Sequence, residues 1–192
     1  RFEGFLTWRN KLTESSAPLL QLRKVISNGV VIKQQKGDRR NHMKQEVREK
    51  VCWVVGAGSF DGLMGRPQKG DLVIAADGGY IYLKELGIEP DVLLGDFDSL
   101  KRVPEHEHLL RHSPIKDDTD MALAVAYAQE QGYHTFYLYG GLGGRLDHTM
   151  GNFQLLTGIS KAADQAYLIG EGQIITAITG ERIRFSKEAA GM

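Results

Sequence analysis

Only one cysteine, Cys52, occurs in the 192 residues, so no internal disulfide can form. It stands in an apolar run, where a thiol behaves as a small buried hydrophobe. A reducing cytoplasm fits that usage. No apolar stretch approaches the roughly 20 residues of a membrane span. Residues 1 to 10 carry charges but no apolar core followed by small residues, so they do not read as a signal peptide. Net charge is also missing: Lys+Arg and Asp+Glu each number 24. No global basic field exists to draw nucleic acid or an anionic membrane. There is no internal repeat. His106, His108 and His112 come without cysteines at zinc spacing and read as loop histidines. These absences leave a cytoplasmic globular protein with no membrane or nucleic-acid partner. Its chemistry must come from local clusters.

The length and a hydrophobic content of 42% suit one domain, or one domain plus part of a second. Residues 1–42 read apart from the rest. The stretch Gln34 to His42 is polar and charged with no apolar period, a composition that builds no core. Residues 1–42 are therefore expected to be a translated leader or a disordered extension, with the native start at Met43.

From residue 51 onward, strands and helices alternate. Val51–Val55 is a continuous apolar run ending in Gly56-Ala57-Gly58, the pattern of a strand buried on both faces. Asp71–Ala76 and Val92–Leu94 repeat it, with a short helix over Tyr80–Leu86 between them and Gly87 to cap it. The polar stretch 101–113 reads as a loop with a short strand. Asp118–Glu130 reads as a helix capped by Thr119 or Asp118, with Ala, Leu, Val and Met on its inner face. Thr135–Tyr139 is a strand and Leu146–Leu156 a helix; Tyr133, Tyr137 and Tyr139 read as core and sheet residues rather than a stacking platform. Ala166–Ile169, Gln173–Ile178 and Arg182–Phe185 read as strands joined by glycine turns. The fold class is α/β, a mostly parallel sheet with helices on both faces, followed by the start of a truncated β-rich domain. The expected boundaries are 43–160 for the α/β nucleotide-binding domain and 161–192 for the incomplete second one.

In such sheets ligands bind beyond the carboxyl ends of the strands. Several chemically able segments fall there. Gly95-Asp96-Phe97-Asp98-Ser99 follows a strand, and two carboxylates two residues apart can share a hard cation such as Mg²⁺. A bare Asp-x-Asp is more often a solvated turn; its place after a buried strand argues for the ion. Ala76-Asp77-Gly78-Gly79 puts a second acid at a strand end, with glycines that let backbone approach a phosphate or simply make a turn. Lys116-Asp117-Asp118-Thr119-Asp120 crowds three acids and a cation at a helix start. One acid serves as a cap, and the rest suit a cation, with Lys116 as a point charge for phosphate. Gly140-Gly141-Leu142-Gly143-Gly144 leads into Arg145-Leu146-Asp147-His148. Its N–H groups and the helix start form an anion cradle, and Arg145 adds a fork for phosphate oxygens. Asp147 and His148 position the cradle or contact a substrate. No Gly-Lys-Ser/Thr follows, so the loop is not a Walker A loop. Gly56-Ala57-Gly58-Ser59-Phe60-Asp61-Gly62 is only a loose dinucleotide fingerprint.

Taken in order, Ala76–Gly79, Pro90-Asp91 with Gly95–Ser99, Lys116-Asp117 with Thr119-Asp120, and Gly140–His148 resemble the thiamine pyrophosphokinase family, over about residues 51 to 180. The resemblance implies an ATP-dependent pyrophosphotransferase that converts thiamine to thiamine diphosphate and AMP. It implies Asp96, Asp98 and Asp120 as catalytic and Mg²⁺-handling acids. Asp77, Gly78, Lys116, Asp117, Arg145 and the glycines 140, 141, 143 and 144 would then surround nucleotide phosphates. Homodimers of the full-length protein, with sites between subunits, are also implied. Two other readings share the residues. In a nucleotide-sugar transferase, Asp-x-Asp likewise holds a metal–diphosphate. A non-catalytic ATP-binding fragment would bind without turning over.

Overall fold

The computed structural model describes residues 3–9, 49–95, 108–111 and 119–180. The elements in chain order are β1 (Glu3–Arg9), β2 (Cys52–Val55), β3 (Leu72–Ala76), α1 (Gly79–Glu85), β4 (Val92–Gly95), β5 (Leu109–Arg111), α2 (Asp120–Glu130), β6 (Thr135–Tyr139), α3 (Leu146–Lys161), β7 (Gln165–Gly170) and β8 (Gln173–Thr179). All eight strands belong to one sheet in the order β1-β8-β7-β6-β2-β3-β4-β5. The block from β7 to β5 is parallel; β8 and β1 add antiparallel pairings at one side.

The apolar runs are continuous because each central strand is covered on both faces. Along β2, Cys52 and Val54 join one core with α2 and α3, contributed there by Met121, Ala124, Val125, Leu156 and Ile159. Trp53 and Val55 join the other, with Leu83 of α1 and the irregular segment around Phe60, Leu63 and Met64. Handedness explains this division. The chain steps one way along the sheet from β2 to β5 and the other way from β5 to β6 to β7, and right-handed crossovers then place the helices on opposite faces. Tyr137 and Tyr139 are core residues; Trp53 meets Tyr137 edge-on with ring centroids 5.0 Å apart and stacks parallel to Tyr139 at 6.0 Å.

Thr119 caps α2, its hydroxyl accepting from Ala122 N–H at 3.2 Å, an interaction typically worth about 1 kcal/mol. Helix α3 runs one turn past the expected Leu156, because buried Ile159 anchors the extra turn and Gly158 sits in open space there. The sheet also continues past residue 160, where a domain boundary was expected. β7 pairs in parallel with β6 and belongs to the α/β sheet. The hairpin chemistry beyond it is present: Glu171 and Gly172, at φ 51° and 66°, make the two-residue turn into β8. Residues 3–9, expected within a leader or disordered extension, pair antiparallel with β8 as the edge strand β1. The candidate strand 182–185 lies outside the described residues.

Candidate functional site

The strand order reverses beside β2. Its neighbours are β3 on one side and β6 on the other, and β6 is reached only after the chain has run out to β5. The loops after β2 and β6 therefore leave the same end of the sheet in diverging directions, the place where open α/β sheets form a crevice.

Glycine lets these loops meet backbone to backbone. Gly56 N–H donates to the Tyr139 carbonyl, Gly58 N–H to the Gly140 carbonyl and Ser59 N–H to the Leu142 carbonyl, each at 2.8 Å. A Cβ on Gly58 would lie 2.6 Å from the carbonyl oxygens of both Gly140 and Leu142. Gly140 adopts φ 64°, and a Cβ there would overlap the Gly56 carbonyl. The loop after β3 completes the rim: a Cβ on Gly79 would overlap the Val55 carbonyl, and one on Gly78 would lie 3.0 Å from the Ala57 Cβ.

Asp77 occupies the left-handed region at φ 49°, an uncommon conformation for a residue with a side chain. Its N–H donates to the Leu94 carbonyl at 2.7 Å, and Gly95 backs onto it: a Cβ on Gly95 would lie 3.1 Å from the Asp77 Cα. Strain of this kind concentrates at functional positions. Asp120 opens α2 in its first turn, next to Met121, whose Cε would lie 2.9 Å from a Cβ on Gly56. The amino end of α2 thus reaches the same edge. Asp96, Asp98, Lys116 and Asp117 lie outside the described residues. Among the described residues, no group of three or more His, Cys, Asp or Glu side chains is arranged to hold a metal ion.

Gly141, Gly143 and Gly144 continue the loop, and Arg145 is the N-cap of α3. The Arg145 fork closes on Asp147, Nε to Oδ1 at 3.1 Å and Nη2 to Oδ2 at 2.5 Å, with both side chains exposed. This hydrogen-bonded pairing pushes the guanidinium further up and holds the Asp147 carboxyl below its ordinary range. Asp147 Oδ1 also accepts from the His148 N–H at 3.0 Å. Asp147 and His148 lie in the exposed first turn of α3 beside the glycine loop.

Three residues not singled out from the sequence support these loops. Tyr82 stacks on Phe60 and donates its hydroxyl to the Gly58 carbonyl at 3.1 Å. Glu171, in the β7–β8 turn, accepts from the Ser59 hydroxyl at 3.3 Å. Asn152 donates its Nδ2 to the Gly141 carbonyl at 2.8 Å. Its Oδ1 is buried with no partner among the described residues, a condition that costs about 1–3 kcal/mol. Only Asn152 left a sequence signal. It shares the i, i+4, i+7 stripe with Leu156 and Ile159, so a polar side chain stands where apolar ones are expected.

The family model for the thiamin pyrophosphokinase catalytic domain matches residues 67–168. A thiamine pyrophosphokinase of Bacillus subtilis (strain 168) is 36% identical over 101 residues, covering 49% of this chain and 47% of the relative. Thiamin pyrophosphokinase 1 of Caenorhabditis elegans is 28% identical over 100 residues, 48% of this chain and 41% of that one. This chain therefore spans less than half the length of these two curated relatives. The crystal structure of thiamine pyrophosphokinase from Bacillus subtilis superposes with a TM-score of 0.56 at 31% identity, covering 64% of this chain and 61% of the other. The order of motifs, the parallel sheet and the match over residues 67–168 agree: the chain belongs to the thiamin pyrophosphokinase family.

Proposed function

We propose that this chain carries the nucleotide-binding part of a thiamine pyrophosphokinase, which moves a pyrophosphoryl group from ATP to the hydroxyl of thiamine. The reading rests above all on the meeting of the 56–59 and 140–144 loops at the strand-order reversal, in a chain whose family match over residues 67–168 includes the second of these loops. The thiamine oxygen bonds to the β-phosphorus of ATP, the bond from that phosphorus to the oxygen shared with the α-phosphate breaks, and AMP leaves. The hydroxyl proton passes to a carboxylate or to His148.

The chain's own contribution is position and charge rather than a covalent intermediate. The glycine loop and the amino end of α3 offer N–H groups to phosphate oxygens. Lys116 and Arg145 supply cations to the same oxygens, with Asp117 and Gly78 in the surrounding rim. For Arg145 this requires its fork to exchange Asp147 for phosphate. Asp96, Asp98 and Asp120 are the residues proposed to hold Mg²⁺, with Asp77 beside them. Their carboxylate oxygens suit a hard cation. Support comes from Asp77 lying against Gly95, the residue that precedes Asp96 in the chain, and from α2 bringing Asp120 to the same edge. Bound there, Mg²⁺ would offset the negative charge of the phosphates. Homodimer formation by the full-length protein and a cytoplasmic location belong to the same reading. No helix among the described residues is long and apolar enough to cross a membrane.

The deciding experiment is AMP formation from ATP with and without thiamine and Mg²⁺. AMP that depends on both supports the reading, and Asp98→Ala should then lower the rate by orders of magnitude. ATP binding without thiamine-dependent AMP reduces the chain to nucleotide binding alone. Consumption of a sugar nucleotide instead would move it to a different transferase class.

A further inference from the structure

Asn152 stands out as a residue ill suited to its place in the fold. It lies on the buried stripe of α3 and is 4% exposed. One end of its amide is used, Nδ2 donating to the Gly141 carbonyl at 2.8 Å; the other, Oδ1, is buried with no donor among the described residues. An apolar side chain there would avoid the unmatched oxygen. The loop has been shaped around this contact. A Cβ on Gly141 would lie 2.8 Å from the Asn152 Nδ2 and 2.7 Å from Cδ1 of Leu168.

The neighbouring carbonyls show what the contact achieves. Gly140 and Leu142 turn their carbonyls onto the N–H groups of Gly58 and Ser59. Asn152 takes the carbonyl between them. Three consecutive carbonyl oxygens are therefore tied into protein contacts. Carbonyl oxygen repels an anion and N–H attracts one, so a loop can cradle a phosphate only while its carbonyls face elsewhere. Gly141 is flanked by Gly140, and nothing in its own side chain prevents that peptide from turning.

We propose that Asn152 is a positioning residue for the phosphate-binding loop. Its amide keeps the Gly141 carbonyl turned inward, at some expense to the fold, so that the loop presents N–H groups to the phosphates of a nucleoside triphosphate. The proposal rests on the nucleotide-site reading above.

The test uses the full 192-residue chain with Asn152→Leu and Asn152→Ala, and Leu156→Ala as a packing control one turn further along the same stripe. Three quantities are read: the thermal midpoint, amide hydrogen exchange at residues 140–144, and ATP affinity in Mg²⁺ by calorimetry. Both Asn152 variants should exchange loop amides about tenfold faster and bind ATP about tenfold more weakly, roughly the worth of one well-made hydrogen bond. Asn152→Leu should keep a thermal midpoint at or above that of the wild type. Asn152→Ala keeps the test decisive if leucine does not fit. Leu156→Ala should lower the midpoint and leave loop exchange and ATP affinity unchanged. Asn152 variants that lose thermal stability while loop exchange and ATP affinity stay at wild-type values would make Asn152 merely structural and overturn the proposal. Faster loop exchange with unchanged ATP affinity also overturns it, since the loop would then not be held for phosphate. A wild-type chain that binds no ATP sinks the nucleotide-site reading itself, an outcome distinct from variants that bind as well as wild type.

Discussion

Gly140 and Gly56 lie backbone against backbone at the reversal of the sheet, so close that a methyl group on Gly140 would overlap the Gly56 carbonyl oxygen. Gly140 also has φ 64°. Both constraints act together on Gly140→Ala. The left-handed conformation costs about 1–2 kcal/mol with a Cβ, and forcing atoms into filled space costs roughly 1–3 kcal/mol more. Gly87 has nearly the same φ, 65°, but nothing within 4 Å of its Cβ position. Denaturant unfolding should show a loss of about 1–2 kcal/mol for Gly87→Ala and a clearly larger one for Gly140→Ala. Equal losses would mean that the two loops are not in contact.

Asp77 pays a conformational penalty at φ 49° that glycine would not. Asp77→Gly should therefore leave stability unchanged or raise it by up to about 1 kcal/mol. Turnover to AMP should fall in the same variant if the carboxylate serves the site. The pairing of assays matters here: a drop in thermal midpoint would show that Asp77 is retained for the fold.

The Arg145–Asp147 pair sets a pH expectation. The Arg145 hydrogen bond, and behind it the His148 N–H, hold the Asp147 carboxyl below its ordinary value of 3.8. A depressed carboxylate contributes what stability it has above its unfolded pKa and loses it as pH falls through the lower folded value. Both side chains are exposed, so the pair should contribute little to stability, and pH should leave it intact throughout the neutral range. Carbon-detected NMR titration should place the Asp147 midpoint below 3.8, and Arg145→Ala should move it upward. A midpoint unmoved by Arg145→Ala would show that the pair does not persist in solution.

Cys52 is fully buried in the centre of the sheet, and burial, reinforced by the charges of Asp91 and Asp71, pushes its thiol far up. The thiolate is the reactive form. The native protein should leave Cys52 unmodified by a thiol reagent at pH 8, with full modification after unfolding. Rapid labelling of the native chain would place the thiol outside the core.

Features governed by neighbours in sequence were the legible ones. Val51–Val55 and Thr135–Tyr139 announced buried strands because β-structure between two covering layers needs unbroken apolar runs. The glycines after β2, β3 and β6 marked strand ends, and Thr119 marked a helix start, because turns and caps are set by one residue's own backbone and side chain. The acids Asp77 and Asp120 were legible as candidates for the same reason. Their companions Asp96 and Asp98, with Lys116 and Asp117, lie outside the described residues.

Contacts between distant segments were not legible in the sequence. That β7 joins the parallel sheet beside β6, instead of opening a new domain, depends on pairing between strands separated by the whole of α3. That residues 3–9 add the edge strand β1 depends on β8, some 170 residues further along the chain. Phosphate-facing roles assigned to Arg145 take no account of its closure on Asp147.

The sequence by itself determined the order of strands and helices from residue 51 to about 179, the glycine-lined strand ends and the family, because each is written in short stretches whose preferences are local. Only the tertiary structure decided that the 56–59 and 140–144 loops meet across the reversed strand order, and that Asn152 and Tyr82 hold their carbonyls. Those outcomes depend on the sheet bringing together groups far apart in the chain, and burial then selects which polar atoms find partners.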